Sequence, residues 1–88
     1  MLAPKIKSRV EPRYTQLARD AKLTGLVKFF AIISKAGQIE NIRIIQPLGL
    51  GLDEAAAEVL NQWTFEPAQS YGQSVSVSLQ IEVSFDLQ

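Results

Sequence analysis

The sequence predicts an α+β fold in two layers, with elements in the order helix, strand, strand, helix, strand. Three observations carry this. Val75, Val77, Leu79, Ile81, Val83, Phe85 and Leu87 are apolar and the residues between them are polar, the period-two signature of a half-buried antiparallel strand. Residues 26–34 and 39–46 are two further β-rich runs, joined by the short Lys35-Ala36-Gly37-Gln38, a hairpin spacing with glycine where positive φ is needed. Two other segments, 12–23 and 53–63, repeat their apolar residues at helical intervals. One apolar face per strand and two amphipathic helices bury each other as a two-layer sandwich.

At 88 residues the chain is one domain. Residues 1–11 are expected to be an extended arm, the end of a linker, and 12–88 the folded domain. In the first helix Tyr14, Ala18 and Ala21, together with Leu17, make the apolar stripe, Thr15 is the N-cap and Gly25 marks the exit. So short a helix needs the sheet to hold it. The first strand places Val27, Phe29, Ala31 and Ile33 on one face and Lys28, Phe30 and Ile32 on the other. In the second strand the apolar phase slips between Ile39 and Ile42, which a β-bulge near Glu40–Asn41 explains. Gly49-Leu50-Gly51 breaks the chain, and Asp53 is expected to cap the second helix with Glu54 near its positive end. Leu52, Ala56, Val59, Leu60 and Trp63 form its buried stripe. Residues 66–72 read as a turn-rich connection, and 75–88 as one terminal strand.

Composition narrows the chemistry. The chain has no cysteine and no histidine, which removes thiol chemistry and the commonest general base and transition-metal ligand. Asp53 and Glu54 are adjacent and point to different sides of a helix, a poor acid–base pair. The serines of the terminal strand have no partner base. Gly49-Leu50-Gly51 lacks the later glycine of a dinucleotide loop and the Lys-Ser/Thr of a P-loop. The expectation is a non-enzyme with no cofactor and no metal. All nine Lys and Arg lie at or before Arg43 against three acids there, and the other six acids follow. This is an asymmetry that packing of the two parts would cancel. Lys5, Lys7 and Arg9 alone are too few to argue for nucleic acid. No apolar run reaches the ~18–20 residues of a membrane span, so any anchor or export segment is expected to lie outside these residues.

Gly49-Leu50-Gly51-Leu52-Asp53-Glu54-Ala55-Ala56 followed by Trp63-Thr64-Phe65-Glu66-Pro67-Ala68 resembles the signature of TonB C-terminal domains. Glu11-Pro12-Arg13-Tyr14-Thr15 looks like that family's entry to its first helix, with Thr15 where the family usually has proline. Lys22-Leu23-Thr24-Gly25-Leu26-Val27 and Gly37 match its next block. The resemblance spans residues 4–87 and implies a three-stranded antiparallel sheet with two helices on one face. It further implies a periplasmic location, tethered to the inner membrane in the full-length parent and connected to inner-membrane motor proteins. The implied partner is a TonB-dependent outer-membrane transporter, whose extended TonB box pairs with the last strand and receives force.

A terminal strand does this because its outer backbone groups are unpaired. The candidate contact residues are therefore Val75, Ser76, Val77, Ser78, Leu79, Gln80, Ile81, Glu82 and Val83, with Glu11, Arg13 and Tyr14 at the adjoining corner. Gly49, Gly51, Asp53, Trp63, Phe65 and Pro67 are the structural motif. The same exposed edge predicts a homodimer by strand pairing or exchange. The alternative is a structural or oligomerisation module of a cell-envelope or sensor protein, using an apolar patch of Phe30, Ile32 and Ile45.

Overall fold

The computed structural model describes residues 1–87. Its centre is a strand that pairs on both sides. β1 (Lys5–Ser8) and α1 (Gln16–Asp20) precede this strand, which is β2 (Gly25–Ile33), and β3 (Ile39–Gln46) and α2 (Leu52–Leu60) follow it. Three short strands come next, β4 (Thr64–Glu66), β5 (Ala68–Ser70) and β6 (Gln73–Val75), before the long β7 (Val77–Phe85). The main sheet is antiparallel with the order β3-β2-β7.

Val27, Phe29, Ala31 and Ile33 of β2 are buried, as the alternation predicts, and Ile81, Val83 and Phe85 of β7 lie beside them. Ala18 of α1 and Leu52, Ala56 and Leu60 of α2 join that same core with Trp63 and Phe65. The two helices therefore cover one face of the sheet. The opposite face carries Lys28, Phe30 and Ile32, and Phe30 stays 44% exposed.

Local chemistry sets the element ends. Thr15 caps α1, its Oγ accepting from Ala18 N at 3.1 Å and donating to Leu50 O at 2.6 Å. Thr15 thus ties the start of α1 to the loop before α2. Of the stripe expected along α1, Ala18 is buried, while Leu17 and Ala21 are exposed. The helix closes at Lys22, whose φ of 54° turns the chain, rather than at Gly25, which opens β2. In the hairpin Gly37 has φ 79°, and a Cβ there would stand 2.0 Å from Phe65 O. Its own carbonyl accepts from Phe65 N at 2.8 Å, docking β4 onto the turn. The expected bulge is present. Phe30 faces Arg43 but Ile32 faces Glu40, so β3 spends one residue more than β2, with Asn41 at φ 51°.

Four further expectations are corrected. The terminal strand does not run unbroken over 75–88. Val75 belongs to β6 and pairs with Ala68, Ser76 lies between strands, and β7 begins at Val77. The alternation crosses this break because both pieces are extended, so periodicity alone does not register the change of partner. Leu87 lies past the end of β7, and Gln88 is outside the described residues. The connection at 66–72 is not featureless. β5 and β6 form a hairpin turning through Tyr71 (φ 51°) and Gly72 (φ 77°), the two left-handed residues of a type I′ turn. Asp53 does not cap α2. Gly51, φ 82°, holds the N-cap position, and the Asp53 carboxylate reaches back to accept from Leu48 N at 2.6 Å and Gly49 N at 3.1 Å. Finally, the arm is extended but not free. Its β1 pairs with β4, and Leu2 exchanges backbone hydrogen bonds with Gln69 at 2.8 and 3.0 Å.

Candidate functional site

A strand at the rim of a sheet turns every second residue's N–H and C=O away from its one neighbour. β7 is such a strand. It pairs with β2 in continuous register from Gly25↔Phe85 to Ile33↔Val77. Among the described residues no strand pairs with its other side. Ser78, Gln80, Glu82 and Ser84 point to the exposed face, while Val77 and Leu79 are half-buried and Ile81 and Val83 are buried. Glu82 lies 3.9 Å from Lys28 across the pair, a surface ion pair.

The open rim faces a groove of about 470 Å³. Leu79, Gln80, Ile81 and Glu82 form one side, Pro4, Lys5, Ile6 and Arg9 of the arm the other, and Trp63 and Phe65 complete it. Trp63 also fixes the arm. Its Nε1 donates to Val10 O at 3.0 Å, and the Arg9 guanidinium lies 5.0 Å from its ring centroid. Farther along, a cleft of about 220 Å³ joins Glu11, Pro12 and Tyr14 to Ser84, Phe85 and Asp86. Tyr14 is set there by an edge-on contact with Phe85, centroids 5.5 Å apart, and by donating its hydroxyl to Leu23 O.

Of the residues singled out from sequence, Val77 to Val83 lie on the open strand, and Glu11 and Tyr14 come to its C-terminal end. Val75 does not join them, because β6 is paired to β5, and Ser76 links the two strands. Arg13 turns toward α2, lining a separate cleft with Ala55, Glu58 and Gln62. The motif residues act through the frame. Gly49 and Gly51 (φ 99° and 82°) bracket a left-handed Leu50, Asp53 holds that loop, and Phe65 hydrogen-bonds the hairpin turn. Pro67, without an N–H, separates β4 from β5.

Sequence reasoning missed the arm's side of the groove. The only available signal was the alternation of Lys5-Ile6-Lys7-Ser8, too short to outweigh a linker reading. Chemically the site offers backbone donors and acceptors, an apolar base and a few charges. Among the described residues no three His, Cys, Asp or Glu side chains converge.

The comparisons with known proteins agree with this architecture. Residues 10–87 match the family model described as Gram-negative bacterial TonB protein C-terminal. Protein TonB of Vibrio cholerae serotype O1 is 27% identical over 84 residues, covering 94% of this chain and 34% of that protein. The chain thus spans about a third of that relative's length. The solution NMR structure of the Pseudomonas aeruginosa TonB C-terminal domain superposes with a TM-score of 0.76 at 23% identity, over 97% of this chain and 87% of that one. The open-edged sheet, the two covering helices and the match over nearly the whole chain lead to one conclusion: this chain belongs to the TonB C-terminal domain family.

Proposed function

We propose that this domain is the partner-capturing end of a TonB-like energy transducer. It acts in the periplasm of a parent tethered to the inner membrane. It takes the extended TonB box of an outer-membrane transporter as an added strand on β7 and passes on force supplied by inner-membrane motor proteins. The observation that carries this reading is the rim of β7, regular over its whole length and open to solvent along a groove. Backbone pairing supplies affinity with little demand on sequence, which suits a domain that serves partners with different side chains. Glu11 and Tyr14 stand where a strand laid on β7 leaves the sheet. The test is a titration of isotope-labelled protein with a transporter-derived box peptide. Amide shifts are expected along Val77–Val83 and at Glu11–Tyr14. Shifts confined to the other edge or to the helices would overturn the proposal.

A second reading is a self-associating module of the cell envelope. Phe30 and Ile45 are 44% and 51% exposed, and Phe30 and Ile32 border a shallow cleft of about 260 Å³ on the face without helices. Molar mass in solution separates the readings when measured with and without charged substitutions at Ser78 and Gln80. A chain that stays monomeric yet binds the peptide rejects the second.

A further inference from the structure

We infer that the arm is the second wall of the binding site, so that a partner's extended segment enters between β1 and β7 and is hydrogen-bonded along both of its sides. This rests on the reading of β7 as the acceptor strand, and it assigns a place to the guest's far edge. β1 pairs with β4 on one side, with one register shift between Ile6 and Ser8, and among the described residues nothing pairs with it on the other. The groove joins the two walls, Lys5, Ile6 and Arg9 facing Leu79 to Glu82 across Trp63 and Phe65. The arm also runs in the same sense as β7. Pro4 to Arg9 lie by residues 79–82, and Glu11 and Pro12 by Ser84 to Asp86. A strand laid against β7 therefore has the arm along its other side, where an ordinary edge addition leaves it to water.

The way the arm is held supports a receiving wall. All four residues of β1 are exposed, so burial does not explain why it is fixed. It is held by its backbone pairing with β4 and by ties at both of its ends. Leu2 bonds Gln69 at one end. At the other, Ser8 Oγ lies 2.7 Å from Thr64 Oγ1, and Val10 O accepts from Trp63 Nε1. A chain pinned at both ends, with one backbone edge committed and the other free, is a ready partner for a second strand.

Backbone N-methylation of the guest tests this on the unaltered protein. Along an extended peptide, alternate N–H groups point to opposite edges, so methylating one parity blocks pairing with β7 and methylating the other blocks pairing with β1. The probe is a transporter-derived box peptide, methylated singly at consecutive positions. Affinity is expected to fall about fivefold or more for both parities, and amide exchange at Lys5–Ser8 should slow in the complex. Loss at one parity only, with exchange at Lys5–Ser8 unchanged or faster, overturns the inference and leaves capture by β7 standing. If neither parity matters and β7 gains no protection, capture by β7 falls, and this inference falls with it.

Discussion

The two rims of the main sheet are built differently, although both flank the same central strand. β3 spends an extra residue between Glu40 and Arg43 and slips register again between Gln46 and Ile44. With Asn41 at φ 51° between the exposed Glu40 and Arg43, β3 has the usual defence of an edge that must stay single, a bulged and irregular backbone. β7 has no bulge in its pairing and runs in unbroken register from Val77 to Phe85. A regular rim presents its donors and acceptors at the spacing an incoming strand matches over its whole length, and a rim bulged twice does so only in short pieces. The contrast supports the proposed assignment of β7, rather than β3, as the side of the sheet that receives guests.

The sharpest way to break that contrast is to loosen the strand both rims share. Phe29 pairs with Ile44 on one side and Ile81 on the other and is fully buried. Phe29→Ala is expected to cost about 3–5 kcal/mol in urea unfolding and to abolish peptide binding with the fold. Gly37→Ala comes next, at about 2–3 kcal/mol, since its methyl would meet Phe65 O in a left-handed backbone. Amide exchange should rise first in β4 and β1. A pair of proline variants then reads the rim itself. Of the neighbours Leu79 and Gln80, one turns its N–H toward β2 and the other toward the groove. One of Leu79→Pro and Gln80→Pro should therefore lose about 3 kcal/mol of stability. The other should stay folded and bind the peptide about tenfold more weakly. If both stay folded and bind normally, β7 is not the acceptor.

Deleting Asn41 converts the guarded rim toward the open kind. Removing the extra residue should straighten β3 and raise the molar mass in a concentration-dependent way, measured by sedimentation. The smallest effect belongs to the ion pair on the exposed face. Glu82→Gln is expected to change stability by less than about 0.5 kcal/mol and to leave the peptide's affinity nearly unchanged at 0.15 M salt.

What sequence alone revealed follows the same contrast between regular and irregular pairing. The buried faces of β2 and β7, the hairpin at Gly37, the bulge beside Asn41 and the cap at Thr15 are local patterns, written within a few residues of where they act. β1 and β4 are not local. Lys5 and Glu66 stand opposite each other although they are far apart in the chain, and strands of three or four residues carry too few repeats for a period to show. Asp53 failed for another reason. A carboxylate at the head of a helix has two sets of backbone donors within reach, and the turn at Leu48–Gly49 won it. The corner at Glu11 and Tyr14 was read from motif resemblance, while the arm's contribution to the groove had no motif to announce it.

The unguarded length of β7 sets a limit on how the domain can be handled. Under the proposed function, a surface that recognises main chain rather than side chains does not distinguish a foreign strand from its own kind, so copies of the domain would compete with guests by mass action. Dilution therefore favours the heterologous complex and crowding favours self-pairing. An apparent dissociation constant measured at high protein concentration will overstate the true one, by a factor that grows with the amount of protein in the tube.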